Sequence, residues 1–399
     1  MFKPVQIADG IYSVGCRDWD IRDFHGYSTY EGTSYNAFLI LDEKNVLIDT
    51  VKKEFADELL DNISKIIDPS KIDIVISNHT EMDHSGALPI VMQKIGMDKP
   101  ILCSKMGFKN LKNHFFAPLN LKSVDNNEEI KIGKRTLAFI ETKMLHWPDS
   151  MFTYLKDDKI LFSSDAFGQH YAGDCMFDDE IGDEIMSHAA KYYGNILLNY
   201  SSRVQELLKS VTASGLEIKM ICPDHGVIWR DNPTKIIEAY NKWSLQIPVK
   251  KAVVIFDTMW SSTAKMAREI AKGIESLGGV NVRLMNTRKC HRSDIMTEVL
   301  DAKALIVGSP TINNGIFPVI ADVMTYIKGL KPKNRMAAAF GSYGWSGEAV
   351  KILNHEFESM GMEIIDDGLR VQYVPAKADL EKCFELGQKI GQKIIESVN

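Results

Sequence analysis

At 399 residues, 45% of them hydrophobic and 25% charged, the chain is long for one core, so two soluble globular domains are expected. A net charge of −6 with both signs interspersed and no basic cluster argues against a nucleic-acid surface, and no apolar run approaches the roughly 20 residues that cross a bilayer. The opening Met1-Phe2-Lys3-Pro4-Val5 has no apolar stretch with a small-residue cleavage site, and the six scattered cysteines form no CxxC pair, so neither a signal peptide nor a disulfide framework is expected and a reducing cytoplasm is the expected compartment.

Two rhythms run along the chain. Up to about residue 165, short apolar strands dominate: Ile11 to Val14, Asn36 to Ile40 and Asn45 to Asp49, the last two joined by a turn that reads as a hairpin. A helix follows, with Phe55, Leu59, Leu60, Ile63 and Ile66 at helical spacing. Strands are then expected at Ile72 to Ser77, Pro100 to Cys103, Thr136 to Glu141 and Lys159 to Ser163. The N-terminal region thus reads as an αβ/βα sandwich, with loop residues gathered at strand ends. A helix from about Thr234 to Trp243, opened by Asp231-Asn232-Pro233, precedes a linker from Ser244 to Lys250. From Lys251 the pattern alternates: strand Ala252 to Phe256, helix Thr263 to Leu277, strand Val280 to Met285, strand Ala304 to Val307, a helix near Ile316 to Ile327 and strand Met336 to Phe340. A helix from Gly347 to Met360 and one last strand, Ile364 to Val371, complete a doubly wound parallel sheet. The expected division is 1–248 and 249–399.

The densest chemistry lies just after the strand Ile72 to Ser77, in His79-Thr80-Glu81-Met82-Asp83-His84. Two imidazoles and two carboxylates so close together would strand buried charge unless a cation gathers them. Glu81 stands where a dinuclear zinc hydrolase of similar pattern carries another histidine, and hard oxygen donors beside imidazole suit iron or manganese better than zinc. One motif cannot complete two coordination spheres. His146, Asp165 and His225 each follow a short apolar strand and precede a turn, so they are the expected partners, giving four histidines and three carboxylates with one carboxylate able to bridge.

In the C-terminal region, Thr258-Met259-Trp260-Ser261-Ser262-Thr263 joins a strand to a helix start, where hydroxyls and backbone N–H groups cradle an anion. The same hydroxyls equally suit a helix cap. The loop has neither a Walker lysine nor GxGxxG, so a terminal monophosphate is the natural guest. Two further loops at strand ends decide for FMN: Pro310-Thr311-Ile312-Asn313-Asn314-Gly315, and Ser342-Tyr343-Gly344-Trp345 with aromatic rings to stack on an isoalloxazine.

With these motifs in order, the chain resembles the flavodiiron proteins, or A-type flavoproteins, over essentially its full length. The resemblance implies a metallo-β-lactamase-like diiron domain followed by a flavodoxin-like domain. It implies one iron on His79, Glu81 and His146, a second on Asp83, His84 and His225, and Asp165 between them. It further implies reduction of dioxygen to water or nitric oxide to nitrous oxide, with nitric oxide as main substrate the alternative to dioxygen. Electrons would come through FMN from an external donor such as rubredoxin or a reduced deazaflavin. A head-to-tail homodimer, or a dimer of dimers, would bring one subunit's flavin to its partner's irons. Phe24, Trp147 and Tyr193 are expected to keep the pocket dry, with His25 and Tyr193 as catalytic candidates that hydrogen-bond bound species; His170 is a further pocket candidate. The rival readings are a zinc hydrolase fused to a flavodoxin and an electron carrier whose metal is structural.

Overall fold

A computed structural model describes residues 3–398; Met1 and Phe2, the start of the segment read for a signal peptide, and Asn399 lie outside the described residues. The chain forms two compact units. The first comprises residues up to His25, Thr29–Tyr192 and Ser202–Asn241; the second comprises Gly26–Ser28, Tyr193–Ser201 and the chain from Lys242 onward. The two short segments join the second unit through Ser28 N–H donating to Ser293 Oγ at 3.1 Å and Asn195 Nδ2 donating to the Ser293 carbonyl at 3.1 Å.

The first unit stacks two sheets. One has the order Val5–Ala8, Ile11–Ser13, Phe38–Ile40, Asn45–Ile48, Ile72–Ser77, Ile101–Cys103, Leu121–Ser123; it is antiparallel as far as Asn45–Ile48 and parallel beyond. The other has the order Glu129–Lys131, Thr136–Glu141, Met151–Leu155, Ile160–Phe162, Met220–Cys222, its last pair parallel. A strand turns alternate side chains to opposite faces, and the first sheet uses both. Phe38, Ile40, Val46, Ile48, Ile74 and Ile76 meet Phe139, Met151 and Phe162 of the second sheet. Leu39, Leu47, Val75 and Ile101 face the other way, onto Leu59, Ile63, Val91 and Met92 of the helices Ala56–Ser64 and Leu88–Ile95. This is the expected sandwich. Sequence reading missed the strand Met151–Leu155, whose five residues are all buried and show no alternation.

The second unit is a parallel sheet in the order Asn281–Asn286, Val249–Phe256, Ala302–Gly308, Met336–Tyr343, Glu363–Ile364. Its inner strands Val249–Phe256, Ala302–Gly308 and Met336–Tyr343 are largely apolar and buried because helices cover both faces, whereas the edge strand Asn281–Asn286 is mostly not buried. The single last strand expected from Ile364 to Val371 is instead two short strands, Glu363–Ile364 and Leu369–Gln372, paired to opposite ends of Met336–Tyr343. The break is a turn in which Gly368 takes φ 95° and donates its N–H to Asp366 Oδ1 at 3.1 Å.

The helix Lys377–Ser397 packs on Ser262–Glu275 at a crossing that only glycine permits: a Cβ on Gly387 would sit 2.1 Å from the Ile270 carbonyl, and one on Gly273 2.1 Å from that of Phe384. Gly387→Val should therefore force the helices apart and cost about 1–3 kcal/mol. Gly329→Ala, in a helix with open space around it, should leave stability unchanged or slightly raised. Urea unfolding followed by circular dichroism checks both; equal midpoints for Gly387→Val and the unaltered chain would refute the close-packing account.

Candidate metal centre and flavin pocket

Four strand ends carry the predicted metal-site residues. The strand Ile72–Ser77 delivers His79 and Glu81 on a loop and Asp83 and His84 on the short helix Met82–Ser85. Asp165 and His225 follow the neighbouring strands Ile160–Phe162 and Met220–Cys222, and His146 lies in the connection before Met151–Leu155. The loop is fixed from beneath. Asn78 donates its backbone N–H and its side-chain amide to the Asp49 carboxylate at 2.7 and 2.8 Å, and accepts from Thr153 Oγ1 at 2.7 Å. Asp49 itself has φ 55°, and Met144 and Ser164 near the other ligand loops also lie in the left-handed region, at φ 67° and 51°. Non-glycine residues hold such backbone only where the surroundings over-determine it, at a cost of ~1–3 kcal/mol each.

All seven residues converge into two donor groups: His79, Glu81, His146 and Asp165 form one, and Asp83, His84 and His225 the other. In the first, His79 Nε2 and His146 Nε2 lie 3.3 and 3.1 Å from Glu81 Oε2, and each lies 3.1 Å from Asp165 Oδ2. In the second, His84 Nε2 and His225 Nε2 are each 3.2 Å from Asp83 Oδ2, and 3.2 and 3.5 Å from Asp165 Oδ1. Asp165 thus turns one oxygen to each group.

The protein alone leaves this arrangement unsatisfied. His84 Nε2 and His225 Nε2 face each other at 3.1 Å, an approach of two nitrogens that each prefer an electrophile. Asp83 Oδ1 and Asp165 Oδ1 are buried without a hydrogen-bond partner among the described residues. The electrostatics agree. Burial opposes a charge on His79, yet Asp165 above all, then Asp149 and Glu81, hold its pKa well above the ordinary value. His146 is only half-buried; desolvation opposes its charge, and hydrogen bonds to Asp165 and Glu81 nevertheless raise it to about 9. Burial raises Asp83 and Asp165, but the imidazoles pull both well below the usual carboxylate range. A pocket that draws protons onto its histidines while keeping its carboxylates ionised calls for positive charge, and the mixed imidazole and carboxylate donors suit iron.

Around the cluster the structure sorts the other candidates. His25, mostly exposed, reaches to 3.9 Å from Glu81 Oε1. Phe24 lies 6.2 Å from the His225 ring and Trp147 5.2 Å from that of His79. His170 is buried, 4.7 Å from His225, with Nδ1 2.8 Å from Thr33 Oγ1. Tyr193 requires a correction. Its hydroxyl pairs with Ser201 Oγ at 3.2 Å and its ring packs on Trp243, so it belongs to the second unit. The aromatic residue beside the cluster is its neighbour Tyr192, 6.0 Å from His225 and 5.1 Å from His170. Tyr192 ends the helix Ile185–Tyr192 and Tyr193 opens a π-helical turn, Tyr193–Leu197, so the two adjacent rings leave the backbone in different directions. Sequence reading also missed Asp149, whose Oδ2 accepts the Thr80 N–H at 2.8 Å, and Asp224, which burial and nearby Asp49 hold well above the carboxylate range. Both stood inside the segments that carry His146 and His225.

In the second unit a cavity of about 820 Å³ opens at the C-terminal ends of the parallel strands, a size that suits a cofactor. Met259, Trp260, Ser262, Pro310, Thr311, Ile312, Asn313, Asn314, Ser342, Tyr343, Gly344 and Trp345 line it, as expected, with Ser346 at the end of the same aromatic loop, and together with Tyr373 and Val374, which sequence reading missed. Thr258, Ser261, Thr263 and Gly315 do not line it but shape its loops. Ser261 takes φ 67° at the start of the helix Ser262–Glu275 and makes no side-chain cap, and Thr258 Oγ1 is buried without a partner among the described residues. A helix start left uncapped beside an orphaned hydroxyl fits a phosphate. Thr263 Oγ1 lies 2.9 Å from Ser342 Oγ, tying this loop to the aromatic one. Gly315 closes the Asn313–Asn314 turn onto Ile312, both asparagines being left-handed. Trp260 and Trp345 are 89% and 87% exposed, so their rings are open to a planar ligand rather than engaged in a core.

The model of the ODP family beta lactamase matches residues 33–226, and the flavodoxin model matches residues 254–387. The chain is 46% identical to a nitric oxide reductase of Moorella thermoacetica, covering 99% of this chain and 100% of that protein. It is 43% identical to the rubredoxin-oxygen oxidoreductase of Megalodesulfovibrio gigas, over 98% of each. Its fold matches the crystal structure of the flavodiiron protein from Giardia intestinalis with a TM-score of 0.96 at 36% identity, covering 100% of this chain and 98% of that one. The chain belongs to the flavodiiron protein family. It is an oxidoreductase of the dioxygen- and nitric oxide-reducing kind, and its cofactors are FMN and two iron ions. The donor groups and the cavity described above fit both.

For this flavodiiron protein, Ser262→Asp should place a negative charge against the flavin phosphate, at a cost of several kcal/mol. FMN affinity should fall about 100-fold or more while iron content is unchanged, as flavin absorbance and metal analysis after gel filtration would show. Full retention of flavin would move the phosphate site elsewhere.

Proposed function

We propose that the chain reduces dioxygen as its main substrate and nitric oxide as a second one, at irons held by His79, Glu81 and His146 on one side and Asp83, His84 and His225 on the other, with Asp165 shared. The observation that carries this reading is the division of the Asp165 oxygens between the two donor groups, at 3.1 Å from His79 and His146 and at 3.2–3.5 Å from His84 and His225. When bound, two irons held there would supply one electron each, the two that a pair of nitric oxide molecules needs, and FMN, a two-electron carrier fed by the external donor, would supply the other two of the four that dioxygen needs to become water.

The chain's own residues do the rest. Asp165 and Glu81 fix the spacing of His79 and His146, while Asp83 sets that of His84 and His225. Phe24, Trp147 and Tyr192 exclude water from one side, and His25, close to Glu81, is placed to hydrogen-bond a guest from the open side. The cavity loops from Thr258 to Thr263, Pro310 to Gly315 and Ser342 to Trp345 hold the FMN. We further propose that the domains are 1–248 and 249–399, that a small external carrier such as rubredoxin or a reduced deazaflavin supplies the electrons, and that a head-to-tail homodimer, alone or paired as a dimer of dimers, is the working form in the cytoplasm. No helix among the described residues is long and apolar enough to cross a membrane.

Glu81→Ala or Asp83→Ala should lower iron affinity at least ~100-fold, since loss of an outer-shell partner alone costs up to that much. FMN should stay bound, and its reoxidation by oxygen should fall to the rate of iron-free protein. Stopped-flow reoxidation under oxygen and under nitric oxide, with one common reductant, reads both reactions; full turnover without iron would refute the assignment. Chelation followed by zinc should give no reoxidation above that background, whereas iron should restore it. Sedimentation adds a separate check, because a monomer turning over at full rate would contradict the dimer.

A further inference from the structure

The outer nitrogens of the clustered imidazoles are not treated alike. His79 Nδ1 faces Asp149 Oδ2 at 3.4 Å, the outer edge of hydrogen-bond range, and that oxygen is pinned by the Thr80 N–H at 2.8 Å. Asp149 Oδ1 accepts from Asn110 Nδ2 at 3.1 Å, and the Asp149 carbonyl accepts from Ser104 Oγ at 2.7 Å. The carboxylate is 1% exposed and lies three residues beyond His146, so it ties together the two segments that carry His79, Glu81 and His146. The other donor group is built differently. His225 Nδ1 donates to a neutral acceptor, the Ser34 carbonyl, at 2.6 Å. His84 Nδ1 has Asp224 Oδ2 at 3.9 Å, beyond hydrogen-bond reach, and no other partner among the described residues. Of these three imidazoles, only His79 has a carboxylate within hydrogen-bond distance of its outer nitrogen.

A carboxylate that accepts the outer N–H of an imidazole fixes its tautomer, leaves the Nε2 lone pair facing inward and makes that nitrogen more basic. His79 Nε2 points at Glu81 and Asp165, where such a lone pair is needed. A more basic ligand favours the ferric over the ferrous ion. We propose that Asp149 is a positioning residue for the His79–Glu81–His146 half of the centre, and that through His79 it makes the iron of that half the more tightly held and the harder to reduce. The inference rests on the ligand assignment proposed above and deepens it, by making the two irons unequal for a stated reason.

Asp149→Asn keeps the shape and an acceptor for the Thr80 N–H but removes the charge. The full-length protein, stripped and reconstituted with ⁵⁷Fe, should then lose about 10–100-fold in affinity at one iron position only. At iron concentrations that fill both positions in the unaltered chain, the variant should hold nearer one iron per chain. With excess iron, a redox titration followed by Mössbauer and EPR spectroscopy should show the lower of the two iron potentials moved up and the other in place, with FMN content unchanged. Both potentials unmoved and both irons retained would reduce Asp149 to a loop anchor and overturn the proposal, as would two coincident potentials in the unaltered chain. If Asp149→Asn does not fold, Asn110→Ala, which frees Asp149 Oδ1, should shift that same couple alone; a shift in both or in neither overturns the proposal. Fewer than two irons in the unaltered chain after reconstitution would instead sink the ligand assignment, so the two failures are distinguishable.

Discussion

The structure depends on one electrostatic constraint: Asp165, its carboxylate buried and ionised, serves two donor groups at once and cannot be satisfied by either. Each of its oxygens meets imidazole nitrogens at 3.1–3.5 Å, and the remaining carboxylates add charge rather than remove it. Ion pairs alone would have to keep several histidines protonated in a dry interior, which is costly. Multivalent cations resolve the charge, the facing nitrogens and the orphaned oxygens together. The strained backbone at Asp49, Met144 and Ser164 is consistent with a scaffold that spends stability to hold donors ready for such ions.

Both units meet their chemical task by the same means, placing loops at strand ends. In the first unit, the strands Ile72–Ser77, Ile160–Phe162 and Met220–Cys222 bring short, well-anchored loops to one edge of the stacked sheets, and the inter-sheet core behind them fixes their spacing. In the second, the parallel sheet offers every loop that follows a strand at one end, so phosphate, ring and polar edge of a flavin are read by separate segments. Inserting a turn into one of these loops changes the ligand's surroundings without touching the core, because the core faces are set by strand alternation and not by loop sequence.

Much of this was legible in the sequence, and the reason is range. The donors His79 to His84 sit within one loop, and His146, Asp165 and His225 each announce themselves by a strand before and a turn after. The flavin loops carry local signatures of the same kind. What was not legible depends on contacts far apart in the chain or on helical phase. Asp149 and Asp49 look like ordinary loop acids until folding brings them under His79 and Asn78. Tyr373 and Val374 reach the cavity from the end of the strand Leu369–Gln372, which pairs alongside Phe340–Tyr343, a long-range pairing that their local sequence does not announce. Sequence reading names Tyr193 where its neighbour Tyr192 lies beside the cluster, because which of two adjacent tyrosines faces His225 and His170 is set by helical phase and tertiary packing, which no local hydrophobic pattern reveals. The helix Arg292–Val299 has little amphipathic contrast and gave no periodic signal.

The most direct test of the account is anomalous X-ray scattering from crystals of the aerobically purified protein, recorded on both sides of the iron absorption edge. The account predicts two iron peaks per chain flanking the Asp165 carboxylate, one bounded by His79, Glu81 and His146 and the other by Asp83, His84 and His225. A single peak, a zinc signal in place of iron, or an Asp165 that touches only one ion would contradict it.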